Sequence, residues 1–341
     1  MKKILISILL TLIIVNIFSV SYAQNRETEI AIGTKFMPST TYILGVSVAQ
    51  LLSKYGENMS TFVSSYATDG VFPHEFTAGK LQLAIGASPT SIQGALSLGQ
   101  YEGKTPAPMK IITTGPLWIQ GLVTRADAKI NTPADLKGKN WLGIRKGSAL
   151  VNQMCEAILY AYNLNKDDVR ILEYSTTTEL LDGLKSGRAA AGSFPYTTGT
   201  PWVEELAVMD MLKLVSDTPE GLERILEAYP FFSKVVLPAN SYRGQDEDVV
   251  TFGSYVTIDV HSDLTDDLVY KITSILYDNF EEWAKSHDQV SDFVLPQAID
   301  PVRIILPVHD GAIKYYKENG YWTKEHEEKQ QTLLEEYQKC R

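Results

Sequence analysis

The side chains best suited to chemistry sit in turns between apolar runs. Arg145, Lys146, Gly147 and Ser148 follow one such run and open a helical pattern. A guanidinium beside the free N–H groups of a helix start can hold a carboxylate through two parallel hydrogen bonds. The plainer reading is a pair of solvated loop cations with Ser148 as a helix cap. In Thr68-Asp69-Gly70 the carboxylate suits an ammonium group on a ligand, yet Asp-Gly is also a common turn pair. Ser39, Thr40 and Thr41 offer hydroxyls at another helix start, as caps or as ligand donors. Tyr42 beside them has a phenol free to bond, stack or pack. Thr34 opens the same loop as Ser39, Ser88 occupies a further strand-to-helix turn, and Trp118, Pro195 and Tyr196 supply aromatic and rigid walls.

These residues need elements to position them. Ile30 to Ile32 is a buried-strand run, the loop Thr34 to Ser39 is stiffened by Pro38, and from Thr40 apolar positions recur at helical spacing. Thr61 to Ala67, Leu81 to Ile85 and Lys110 to Thr114 repeat the scheme, each strand ending in a hydroxyl- or glycine-rich turn. Ser88 is the expected N-cap before Pro89. Four strand ends carrying such turns on one side of a sheet predict an α/β arrangement with its ligand at the carboxyl ends. The scheme restarts with strands at 121–124, 141–144, 169–173 and 189–194, and helices at 149–162 and 176–186. Val249 to Val260 alternates like a long strand, and 263–284 reads as one helix capped near Ser262 or Asp263.

The chain of 341 residues begins with Lys2, Lys3, an apolar core from Ile4 to Val20 and the small-residue ending Ser21-Tyr22-Ala23. That is the pattern of a cleaved secretory signal at 1–23, and a protein exported to the periplasm is expected. Cleavage removes two lysines and no acid, taking the formal charge from −10 to −12. An acidic chain without a basic block is a poor nucleic-acid binder, and an anionic ligand would need local donors rather than the global field. The expected compartment permits a disulfide, but Cys155 and Cys340, far apart in sequence, do not by themselves establish one. The histidines at 74, 261, 287, 309 and 326 are scattered. His309-Asp310 is the one tight His-carboxylate pair, read as a structural helix start. No G-x-S-x-G elbow, H-E-x-x-H, paired-cysteine spacing or P-loop occurs, so no catalytic residue, metal site or cofactor is expected.

Several phrases then fall in a telling order: INTPADLKGKNWLGIRKGSA at 130–149, LLDGLKSGRAAAG at 180–192, PANSYRG at 238–244, DLVYKIT at 267–273 and PVHDGAIKYYKENG at 307–320. With the early Gly33-Thr34 and Thr68-Asp69-Gly70 phrases, the chain resembles, from about Glu29 to Gly320, the TAXI family of solute receptors. These serve tripartite ATP-independent periplasmic (TRAP) transporters. The resemblance implies a two-lobed periplasmic binding protein fold, type II-like, with the ligand in the interlobe cleft. It places lobe one at 24–119 plus 253–341 and lobe two at 120–252, joined by two crossing strands. It also implies capture of a small organic anion or amino acid by hinge closure, glutamate-like or 2-oxoacid and dicarboxylate ligands being typical. Permease subunits in the membrane would be the partners, with the receptor itself a monomer that binds no nucleic acid. Lys35 to Tyr42 and Thr68 to Val71 depart from the family's usual glycine-rich phrases, and those loops face the ligand. A periplasmic sensor feeding a signalling receptor is the alternative, and an exported enzyme a weaker one.

Overall fold

The computed structural model describes residues 28–37 and 39–341. The expected signal at 1–23 and the stiffening role of Pro38 lie outside the described residues. Among those residues, no helix is long and apolar enough to cross a membrane.

Two sheets organise the chain. The first takes β1 (Thr28–Lys35), β2 (Met59–Tyr66), β3 (Leu83–Ala87), β4 (Met109–Ile119), β10 (Ser233–Leu237) and β11 (Val249–His261). β1 lies between β2 and β3 and is parallel to both. Its residues Ile30 to Thr34 are all buried, as expected of a central parallel strand covered on both faces. The strand therefore continues through Lys35, into the stretch expected as the loop from Thr34. β11 runs antiparallel between β3 and β4, so the four early strands keep a common direction with one reversed strand inserted. β10, in the segment expected to belong to lobe two, hydrogen-bonds to the first part of β11 and extends the first sheet.

The second sheet has the order β7-β6-β8-β5-β9. Its strands are β5 (Val123–Arg125), β6 (Asn140–Arg145), β7 (Arg170–Tyr174), β8 (Ala191–Gly192) and β9 (Leu212–Leu214). β6 is parallel to its neighbours, and β5 is antiparallel to β8 and β9. Below, lobe 1 and lobe 2 mean these two sheets with the helices packed on them.

Helices cover both sheets. α1 (Thr40–Tyr55) starts at Ser39, whose Oγ accepts the Tyr42 amide at 3.2 Å. It buries Leu44, Val48, Leu51 and Leu52 on the first sheet, each contributing about 1.5–3 kcal/mol. Gly45 lets the helix approach closely, because a Cβ there would stand 2.2 Å from Thr34 Cγ2. α2 (Phe72–Thr77) and α3 (Ser88–Leu96) follow β2 and β3. α3 is capped by Ala87, not Ser88: the Ser88 hydroxyl is buried and accepts the Tyr255 amide at 3.1 Å. In lobe 2, α4 (Ala149–Ala161) is capped by Ser148, and α5 (Thr177–Lys185) and α6 (Pro201–Val208) follow β7 and β8. α7 (Pro219–Ala228) leads toward β10. The expected single helix at 263–284 is two, α8 (Asp266–Asp278) capped by Thr265 and α9 (Phe280–Ala284). α10 (Asp310–Glu318) is capped by His309, and α11 (Lys324–Lys339) closes the chain. Cys155 is buried with its thiol pushed up to about 12 by desolvation, Cys340 is exposed, and both are free.

Candidate functional site

A cleft of about 710 Å³ lies where turns from both sheets meet. That size suits a small organic ligand. Two other grooves, of about 480 Å³ each, lie against α1 and β2 and beside β9, away from these turns.

Lobe 1 contributes Lys35 at the end of β1 and Phe36 after it, Ser39 and Thr40 at the start of α1, and Ala67 to Asp69 after β2. Trp118, near the end of β4, faces the same space, because β4 continues past the turn expected at Thr113 to Pro116. Gln289 completes this side. Lobe 2 contributes Arg145 to Ser148, Leu150 and Val151 at the β6–α4 junction, then Thr177, then Phe194 to Trp202 after β8. Gly147 adopts φ +76°, a left-handed turn that favours glycine and lets the chain double back into α4. Ser148 Oγ accepts the Val151 amide at 3.4 Å, while the first N–H groups of α4 remain without partners inside the helix.

The expected residues thus divide. Ser39, Thr40, Asp69, Trp118, Arg145, Gly147, Ser148, Pro195 and Tyr196 come together around one cavity. Thr34, Thr41, Tyr42, Gly70 and Ser88 are not in its wall. Thr34 is buried under α1 with its hydroxyl 3.3 Å from Ser65 Oγ. Thr41 is buried with its hydroxyl 3.2 Å from that of Ser39. The Gly70 carbonyl accepts the Tyr101 hydroxyl at 2.7 Å, and its amide donates to Thr68 Oγ1 at 3.2 Å. Tyr42 is half-buried on α1, outside the cavity wall.

The charged lining is Lys35, Arg145 and Lys146 against the single carboxylate of Asp69. Two of these three cations rest on aromatic faces. Lys35 Nζ sits 4.9 Å from the Trp118 ring centre, and the Arg145 guanidinium carbon sits 4.5 Å from that of Phe194. Such contacts hold a cation without neutralising it. Arg145 Nε also donates to the Ser175 carbonyl at 3.4 Å, and Lys146 lies 3.7 Å from Glu173. Asp69 is committed locally: Oδ2 accepts the Ala87 amide at 3.3 Å and Oδ1 the Thr68 hydroxyl at 3.4 Å. That bonding favours the turn role left open for it in the sequence.

Tyr196 is fixed by the backbone. Its amide and carbonyl exchange hydrogen bonds with Ile119 at 3.1 and 2.7 Å, tying the turn after β8 to the end of β4. Burial raises its phenol well above the usual range, so it stays protonated and remains a donor. Trp202 and Gln289 were missed by sequence reasoning. Thr200-Pro201, a cap followed by a helix-opening proline, was the available signal for Trp202. Gln289 lies in a short helical turn at 288–293 with no local mark.

Fold and site together define an α/β protein of two sheets with a cationic, aromatic-walled cleft between their turns. The chain belongs to the NMT1-like family, whose model matches residues 32–320. It is similar to the periplasmic aliphatic sulphonate binding protein SsuA of Escherichia coli, at 13% identity over 91% of this chain and 92% of that one, with TM-score 0.45. A second similar structure is a polar amino acid ABC uptake transporter substrate binding protein from Streptococcus thermophilus, at 16% identity, 85% and 92% coverage and TM-score 0.41. A third is XAC2383 from Xanthomonas citri bound to ATP, at 9% identity, 86% and 99% coverage and TM-score 0.49.

Proposed function

We propose that this chain is an exported solute receptor that captures a small organic anion in the cleft and delivers it to the membrane subunits of a transporter, of TRAP type as the sequence resemblance implies. The observation that carries this reading is the charge of the cavity. Three cations face one locally bonded carboxylate, in a chain whose formal charge is −10. The lining contains no histidine and no cysteine, and its one carboxylate, Asp69, is occupied by the Ala87 amide and the Thr68 hydroxyl. Binding without turnover fits that inventory.

The mechanism follows from the two-sided wall. A ligand touching Lys35 and Arg145 at once makes more contacts when the lobes approach, and it shifts the population toward the closed form by that difference in affinity. The closed form is what a permease would read. The commitment of Asp69 to the Ala87 amide makes a plain acid the preferred ligand over a zwitterion.

The test is thermal unfolding of residues 24–341 against amino acids, dicarboxylates, 2-oxoacids and aromatic acids, with turnover assays on the same set. A ligand that binds only the folded state raises the melting temperature by mass action. A shift with at least one acid, with no product formed, supports the receptor. Product formation, or no shift with any acid, sinks it.

A further inference from the structure

The two lobes also meet away from the crossing strands. Gln93 on α3 of lobe 1 and Gln153 on α4 of lobe 2 face each other amide to amide. Gln93 Nε2 donates to Gln153 Oε1 at 3.1 Å, and Gln153 Nε2 donates to Gln93 Oε1 at 2.9 Å. The pair is reciprocal, each side chain giving one donor and one acceptor to the other. Gln93 is 2% exposed and Gln153 is half-buried. Among the described residues, the other hydrogen bonds between the lobes run along β4 and β11 or through the connection from β10 to β11. Examples are Tyr196 with Ile119, Thr251 with Asp217, and the Tyr242 hydroxyl with the Thr197 carbonyl.

The surroundings are shaped for this pair. The turn after α3 carries Gly99 at φ +55°, where a Cβ would stand 2.4 Å from Gln93 Oε1 and 3.3 Å from Gln153 Nε2. A side chain there would displace both amides. Tyr101, in the same turn, donates its hydroxyl to the Gly70 carbonyl and so braces the segment that carries Asp69. On the other side Gln153 follows Asn152, whose Oδ1 accepts the Arg145 amide at 3.1 Å. The amide pair therefore joins the supports of the two cleft walls without standing in either wall. Neutral amides exchange readily for water when the lobes separate, but Gln93 left buried without its partner is costly. Such a contact favours the approach of the lobes and keeps it reversible.

We propose that Gln93 and Gln153 form a latch that sets the balance between approached and separated lobes in the ligand-free chain. They are positioning residues: each acts through the helix that carries a cleft wall. For the receptor reading above, the latch holds part of the population ready for a ligand and raises apparent affinity in proportion to that fraction. The latch itself stands on geometry and needs no ligand. It can fail while the receptor reading stands, and stand while that reading fails.

The experiment measures the distance between two nitroxide labels on ligand-free residues 24–341 by double electron–electron resonance. Cys340 is exposed at the end of α11, and Lys166→Cys adds a second exposed site beyond the end of α4. Cys155 escapes labelling because it is buried and desolvation raises its thiol pKa. The first label lies near α3: Arg341 beside it donates to the Ala107 carbonyl at 3.0 Å, and the Ala107 amide donates to Gly94 at 2.9 Å. The Lys166→Cys parent is expected to show two distances, the shorter being that of the latched structure.

Gln153→Met keeps the side-chain length but leaves the buried Gln93 amide unpaired, and should lower the ratio of short to long distance about tenfold. Gln93→Met leaves only the half-buried Gln153, which water can still reach, and should lower that ratio about fourfold. Gly99→Ala should act in the same direction by displacing the pair instead of deleting it. Gln93→Met/Gln153→Met removes both polar groups together and should return the ratio to within about twofold of the parent. A single distance in every chain, or a ratio unmoved by both Gln153→Met and Gly99→Ala, overturns the latch. A double variant as open as Gln153→Met alone also overturns it, because packing and not the paired amides would then hold the lobes.

Discussion

The two sides of the cleft use similar turns in opposite ways. In lobe 1 the hydroxyls and the carboxylate mostly answer to their own fold: Thr34 to Ser65, Thr41 to Ser39, Ser88 to the Tyr255 amide, Asp69 to the Ala87 amide. In lobe 2 the turn after β8 closes on itself through Thr197 and Thr200, while Arg145 rests on the Phe194 ring with only one long bond, to the Ser175 carbonyl. The difference teaches that a polar turn at a strand's carboxyl end does not make a binding surface. What matters is which groups the local structure has already used.

The contrast can be pressed in order of expected size. The largest effect concerns a carboxyl buried deep in lobe 1. Asp259 on β11 is fully buried, accepts the Ser91 hydroxyl at 2.7 Å through one oxygen and has no partner for the other. Desolvation, with a smaller push from Asp69, raises its pKa from 3.8 to about 7. The native state thus holds this proton more tightly than the unfolded chain. The associated stability is fully present below about pH 4 and is lost as pH rises to about 7, on the order of 4 kcal/mol in all. Chemical denaturation of Asp259→Asn from pH 4 to 8 should show that slope removed. An unchanged slope would mean that another group titrates.

Next comes Arg145→Leu, expected to weaken acid binding on the order of 100-fold, as loss of a charge-assisted pair in a confined site requires. Lys35→Met on the opposite wall should cost only about fivefold by the same calorimetric measure, as for an exposed ion pair. Equal losses at the two positions would erase the asymmetry between the lobes. Smallest of all, Thr34→Val and Thr41→Val should leave affinity within about twofold and cost about 1 kcal/mol of stability in urea unfolding, since each hydroxyl serves one internal contact. A tenfold loss of affinity at either would place lobe 1 hydroxyls on the ligand after all.

Much of the α/β order was legible because strand runs and helix periodicity are local properties. The segments around Ile30, Phe62, Ile85 and Ile112 were all placed, and so was the long strand ending at His261. What escaped was pairing. The alternation of Val249 to Val260 announces a strand, but nothing in it says that the strand runs antiparallel between β3 and β4. β10 likewise joins the first sheet through backbone bonds that its own sequence does not encode. The site was legible where position follows from a motif, as with Ser148 capping α4. It failed where depth decides: Thr34 and Ser88 read as turn hydroxyls, but Thr34 is buried under α1 and Ser88 is buried at the first position of α3. Trp202 and Gln289 were invisible because lining a cavity is a property of surroundings, not of a residue type.

Two of the three cleft cations rest on aromatic faces, Lys35 on Trp118 and Arg145 on Phe194. Long basic side chains carry about 2 kcal/mol of rotamer entropy each, which an exposed receptor surface would surrender at the moment of capture. Here part of that freedom is already given up to the protein's own aromatic faces, with Arg145 further held by the Ser175 carbonyl. An acid entering the proposed site would therefore meet charges that are in place, and its binding would order the ligand and the space between the lobes more than the walls.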